Sequence, residues 1–308
     1  MAKILIVGCG DLGLVIGQLL ADKHAVFGLR RQSQGQSLQG RSSNLSMLQG
    51  DVTDSVSLQV LHGLKAELIL YCVAADAQTD AAYQAQYVNG LANVLATQRE
   101  NTALRHVFFV SSTRVYGQDA GEYLDDTSAL SPMDFGGQRL LEAEQLLKNL
   151  ACPATALRLS GIYGPGRLRM INLAKSQAWP AINSWSNRIH RDDAAAFIVF
   201  LMEQVIAGKA VQTSYIVSDD APASLHEVLA WLADQMQIGK PAYAQQDATK
   251  GKRLANGLMR ATGFQLKYPN FKVGYQALLA SLTSSYCVCL FKNQAVRLIR
   301  ALWVGSTS

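Results

Sequence analysis

The segment Lys3-Ile4-Leu5-Ile6-Val7-Gly8-Cys9-Gly10-Asp11-Leu12-Gly13 constrains the fold more than any other part of the chain. Its unbroken apolar run reads as a strand buried on both faces. Three glycines at fixed offsets follow, and then a helical stripe of Leu12, Val15, Ile16, Leu19 and Leu20. In such a strand-turn-helix unit each glycine has its own task. Gly8 allows the tight turn, Gly10 lets the backbone approach a pyrophosphate, and Gly13 lets the helix pack closely on the strand. The first N–H groups of the helix and its dipole favour an anion at that end. The unit predicts a dinucleotide held at Gly8, Gly10, Asp11, Leu12 and Gly13.

Strand-like and helix-like segments alternate through the first half of the chain, which predicts a doubly wound α/β domain with a parallel sheet between helices. The strand candidates are 3–7, 25–29, 45–48, 67–72, 106–110 and 155–159. A helix is predicted over 80–98, with Tyr83, Tyr87, Leu91 and Val94 on one face, and another over 137–150, with Leu140, Ala143, Leu147 and Leu150 together. From Gly164 the pattern loosens. Pro165-Gly166 breaks the chain, and a basic segment with Arg167, Arg169, Arg188 and Arg191 follows. The predicted division is 1–163 as the dinucleotide-binding domain and 164–281 as a smaller substrate lobe over the functional edge of the sheet. The lobe is interwoven with the domain, since a strand at 214–217 is placed to return to the main sheet. Residues 282–308 form an extension whose 293–303 portion has amphipathic helical spacing.

At the end of the second strand an acidic residue would bond the ribose hydroxyls of NAD, whereas basic residues accommodate the extra phosphate of NADP. Here the strand ends Gly28-Leu29-Arg30-Arg31, and two guanidiniums offer bidentate phosphate geometry. NADP is therefore expected ahead of NAD.

Composition narrows the remaining classes. The net charge of +5 is dispersed rather than gathered into a basic tract, which argues against nucleic acid and suits phosphorylated small molecules. The longest apolar stretch, 194–202, is too short to span a bilayer, and no signal-peptide pattern opens the chain, so a cytoplasmic protein without integral membrane contact is expected. Five scattered cysteines lack paired zinc spacing and predict no metal.

Several segments together resemble the extended short-chain dehydrogenase/reductase family, which includes nucleotide-sugar epimerases and dehydratases. They are Gly8 to Gly13, Gly50-Asp51-Val52, Ala74-Ala75, Val88-Asn89-Gly90, Ser111 to Gly117, Tyr163-Gly164-Pro165-Gly166 and Ile189 to Asp193, in family order over about residues 1 to 280. The resemblance implies Asp51 and Val52 beside the adenine, Ala74 and Ala75 beside the cofactor phosphates and ribose, and Asn89 anchoring a helix near the active site. It also implies that Ser112 bonds the reacting hydroxyl or carbonyl.

The family's proton-transfer pair is a Tyr followed four positions later by a Lys, and this chain reads Asp134-Phe135-Gly136-Gly137-Gln138-Arg139 there. Phe135 has no ionisable proton, which removes a contribution of about a hundredfold to ten-thousandfold. Arg139 keeps a positive charge for the nicotinamide ribose, with planar rather than compact geometry. The pattern resembles the atypical bacterial branch of NAD-dependent epimerase/dehydratase-like proteins. Tyr116, Asp134, Tyr163 and His190 are the substitutes to weigh, and Arg167, Arg169 and Arg188 are the expected contacts for an anionic substrate. Two functions follow: an NAD(P)-dependent oxidoreductase, epimerase or dehydratase acting on a nucleotide-sugar-like or small phosphorylated compound, or a catalytically disabled NAD(P)-binding regulatory or redox-sensing module. A homodimer is compatible with either.

Overall fold

The structure, a computed structural model, describes residues 1–31 and 44–283. Cys287, Cys289 and the 293–303 segment lie outside the described residues.

Seven strands form one parallel sheet: β1 (Lys3–Val7), β2 (Ala25–Arg30), β3 (Leu45–Gln49), β4 (Leu68–Tyr71), β5 (His106–Ser112), β7 (Ala154–Leu159) and β11 (Ser214–Val217). Their spatial order is β11-β7-β5-β4-β1-β2-β3, so the chain moves outward from β1 through β2 and β3, then crosses back to β4 on the other side of β1 and moves outward through β5, β7 and β11. The doubly wound class read from the sequence is the fold of the protein. The strand at 214–217 does return to this sheet, beside β7.

The apolar runs are continuous because each strand is covered on both faces. Ile4 and Ile6 of β1 pack with Ile16 and Leu20 of α1 (Asp11–Ala21) and with Phe197, Leu201 and Met202 of α6 (Arg191–Ile206). Leu5 and Val7 face the other way, into a second core with Tyr71, Leu91, Val94, Phe109 and Leu140. The last of these comes from α4 (Phe135–Leu147), which begins two residues before the predicted start because the Asp134 carboxylate accepts the Gly137 N–H at 2.8 Å.

The predicted 80–98 helix is helical throughout but not uniform. It runs as α2 (Asp80–Tyr83), a π-helical turn over Gln84–Asn89, and α3 (Gly90–Thr97). The Tyr71 hydroxyl donates to the Gln86 carbonyl inside this turn, drawing that carbonyl out of the regular ladder. Gly90 is where the helix closes on the sheet, since a Cβ there would lie 2.5 Å from the Tyr71 Oη.

Short elements build the lobe. β8 (Gly161–Tyr163) pairs with β10 (Arg188–His190), and β6 (Ala120–Leu124), β9 (Ser184–Ser186), β12 (Ala223–Ser224) and β13 (Lys250–Leu254) form a four-stranded sheet. Beside them, α5 (Arg169–Ser176), α7 (Leu225–Gln235) and a helical run at 271–283 enclose a third core around Trp179, Leu229, Phe271 and Tyr275. Among the described residues no helix is long and apolar enough to cross a membrane, and no group of three His, Cys, Asp or Glu side chains is placed to hold a metal ion.

Candidate active site

Parallel strands end on a common edge, and there the loops after β1, β2, β4, β5 and β7 enclose a cleft of about 1090 Å³. This is just above the roughly 300–1,000 Å³ usual for small-ligand sites. The glycine loop forms one end. Gly8 has φ +88°, and a Cβ there would sit 2.6 Å from the Cys72 carbonyl oxygen, so the turn requires glycine. A Cβ on Gly13 would lie 2.5 Å from the Gly8 oxygen, whereas one on Gly10 would have no protein atom within 4 Å. Gly10 therefore presents bare backbone to the cleft, beside Asp11 and Leu12.

Arg30 and Arg31 line the wall at the end of β2. The Arg31 guanidinium pairs bidentately with Asp76, with its second contact at 2.5 Å, and that bond holds the Asp76 carboxyl below the usual carboxylate range. Val52 lines the cleft, but the Asp51 carboxylate turns back to accept from the Thr53 N–H at 2.9 Å and the Thr53 hydroxyl at 2.8 Å. Ala74 and Ala75 line it after β4, and Ser111 and Ser112 after β5. Ser112 Oγ also accepts the Arg114 N–H at 3.2 Å, which fixes the turn that ends the strand.

Under Ser112 lies a buried polar network. Ser111 Oγ donates to Glu144 Oε1 at 2.6 Å, the Arg158 guanidinium pairs with Glu144 at 2.9 Å, and Arg158 Nη1 donates to the Tyr116 hydroxyl at 2.9 Å. Glu144 and Arg158 are 6% and 7% exposed, so each depends on the other for its charge.

A model of the NAD dependent epimerase/dehydratase family matches residues 4–216. The chain belongs to this family. A solved structure of a candidate NAD-dependent epimerase/dehydratase from Methylobacillus flagellatus is 46% identical, with a TM-score of 0.80, over 92% of this chain and 99% of that one. The Bordetella bronchiseptica enzyme WbmG in complex with NAD is 19% identical, with a TM-score of 0.71, over 91% and 93%. UDP-N-acetylglucosamine 4-epimerase from Methanobrevibacter ruminantium M1, in complex with UDP-N-acetylmuramic acid, is 16% identical, with a TM-score of 0.71, over 92% and 99%. No curated protein matches the chain.

For an epimerase/dehydratase family member, the helix that should carry the proton-transfer pair is unusual. The Phe135 ring stands edge-on to Tyr83, 5.4 Å between centroids, under the Arg114 guanidinium at 5.1 Å, and it is not part of the cleft wall. Arg139 is paired bidentately with Asp80 at 2.7 and 3.0 Å and with Glu142 at 2.7 Å, so its charge ties α4 to α2 instead of facing the cleft.

The arginines expected to meet the substrate together are dispersed. Arg167 lies at the glycine loop, 2.6 Å from Asp11, with Arg191 on the same carboxylate at 3.2 Å. Arg169 is exposed at the start of α5. Arg188 is buried in the lobe core, stacked over Phe271 and bonded to Ser186, and burial lowers its pKa. Arginine in a loosely patterned segment reads as a surface contact, and only long-range packing reveals otherwise.

The weighed substitutes for the missing phenol lie outside the cleft wall. Tyr116 serves Arg158, Asp134 caps α4 and pairs with Arg114 at 2.9 Å, Tyr163 is packed on Tyr275 at 4.4 Å, and His190 caps α6 and stacks on Tyr268 at 3.9 Å. Asn89 is exposed, bonded to Gln84 at 3.2 Å, and outside the cleft wall. The wall residues from its helix are Gln86 and Tyr87, which spacing alone did not single out as site residues.

Proposed function

We propose that the chain binds a nicotinamide dinucleotide along this cleft, NADP(H) ahead of NAD(H), and uses it for epimerase, dehydratase or reductase chemistry on a nucleotide-sugar-like or small phosphorylated substrate. The observation that carries the reading is the continuous cleft from the open backbone at Gly10 to the Ser112 hydroxyl, at the strand ends where such sheets bind ligands. The complexes of WbmG with NAD and of the Methanobrevibacter enzyme with a UDP-sugar support it by likeness of fold.

In this reading residues 1–163 supply the dinucleotide site and 164–281 the substrate side. Gly8, Gly10, Asp11 and Leu12 hold the pyrophosphate, Val52 the adenine, Arg30 the 2′-phosphate, and Ala74 and Ala75 the nicotinamide ribose. The dinucleotide supplies or takes hydride when bound. Ser112 fixes the reacting oxygen by a hydrogen bond, and the walls orient the substrate and exclude water.

A second reading, a dinucleotide-binding sensor, is favoured by one observation: Phe135 offers no proton and Arg139 is held by Asp80 and Glu142. Both readings need the cofactor site. Calorimetric titration of NAD and NADP into the wild type and Gly10→Val tests it. The wild type is expected to bind and the variant to lose binding while keeping its circular dichroism spectrum, because the new side chain enters ligand space and meets no protein atom. Undiminished binding in the folded variant contradicts the site.

A further inference from the structure

The proton-transfer candidates drawn from the sequence lie outside the cleft wall, yet that wall contains a phenol. We propose that the hydroxyl of Tyr87 is the proton donor and acceptor of this site, acting on the substrate oxygen that Ser112 holds. The proposal rests on the cofactor reading above and adds the group that reading lacks.

Three observations carry it. Tyr87 and Ser112 line the same cleft, whereas Tyr71, Tyr83 and Tyr116 place their hydroxyls on Gln86, on Arg114 and Gln78, and on Arg158. Tyr87 stands inside the π-helical turn, where the phase of the helix shifts, and such turns are frequent at functional sites. Position 87 lies in the wall and Asn89 outside it. Finally, the Ala75 N–H points at Tyr87 Oη from 3.4 Å, a long contact that leaves the phenol's own proton without an acceptor among the described residues.

Those surroundings suit a proton carrier. Burial pushes the Tyr87 pKa upward, the Ala75 N–H opposes it, and the neighbouring Tyr83 and Cys72 side chains add to the rise against a smaller opposing effect of Arg114, so the phenol is held in its proton-donating form. The Ala75 N–H is placed to stabilise the phenolate form. In the reducing direction the substrate carbonyl carbon gains the hydride, its oxygen takes the Tyr87 proton, and the phenolate recovers a proton from water. In the oxidising direction the phenolate takes the hydroxyl proton as hydride leaves the carbon.

The test uses the full chain labelled with carbon-13 at tyrosine Cζ, with the Tyr87 resonance identified by its loss in Tyr87→Phe. Calorimetry first establishes whether NADP and NAD bind; absence of binding defeats the cofactor reading itself. With binding established, the Tyr87 resonance is expected to move on saturation. Its titration midpoint is expected to fall by about one pH unit with the oxidised form relative to the reduced form, because a cationic ring nearby favours the phenolate. On any UDP-sugar that the wild type turns over, Tyr87→Phe should lower kcat about a hundredfold or more at unchanged dinucleotide affinity. Tyr123→Phe, on the exposed face of the small sheet, should change neither reading. A Tyr87 resonance indifferent to bound dinucleotide, or wild-type turnover in Tyr87→Phe, overturns the proposal.

Discussion

Arg30 and Arg31 leave β2 side by side and meet different surroundings. Arg31 is neutralised by Asp76, and the exposed pair adds little to stability. Arg30 lines the cleft, and the proposed reading puts the 2′-phosphate there. Arg30→Asp is expected to weaken NADP binding by about tenfold to a hundredfold, the worth of a hydrogen bond to a charged group, and to favour NAD. Calorimetry of both cofactors with both proteins checks this, and equal affinities in the wild type would remove the argument. The same scale separates the glycines: Gly13 is required by packing, whereas Gly10 has open space beside it and owes its glycine, in the proposed reading, to the ligand.

At the scale of elements, β5, β7 and α4 are joined by the Ser111-Glu144-Arg158-Tyr116 network. Glu144→Leu leaves a buried guanidinium without its carboxylate and is expected to destabilise the fold by about 3–5 kcal/mol. The double variant Glu144→Leu with Arg158→Met should recover most of that loss, because it removes both charges together. Urea unfolding of the three proteins measures it, and a double variant no better than the single would show that the pair itself stabilises. The network was not legible in the sequence, since it joins positions 111, 116, 144 and 158 across three elements. Neither was the π-helical turn. The stripe of Tyr83, Tyr87, Leu91 and Val94 predicts a regular helix, and the Tyr71 hydroxyl that draws Gln86 out comes from a strand many residues away.

Across the whole molecule, burial sets a pH dependence. Asp219 is 1% exposed next to Arg188 in the lobe, and burial pushes its carboxyl up to about 7. The folded state therefore holds a proton that the unfolded chain releases near pH 4, so the contribution of this group to stability is full below that and is lost as pH rises through 7, by up to about 4 kcal/mol. Asp219→Asn should flatten that decline in urea unfolding from pH 4 to 7, and an unchanged slope would exclude Asp219 as its source. The main sheet was legible because doubly covered parallel strands are continuous apolar runs. The lobe was legible only as a loosening of pattern, because strands of two or three residues, such as β9 and β12, are too short to show a period. The candidate site was half legible: its glycine loop follows from local spacing, while the far end of the cleft depends on which side chains the packed helices turn inward. The central claim is that one dinucleotide spans both ends. A crystal structure of the chain soaked with NADP tests it most directly. The account predicts the pyrophosphate at Gly8 to Leu12 and the nicotinamide beside Ser112 and Tyr87; a dinucleotide bound elsewhere, or reversed in the cleft, would contradict it.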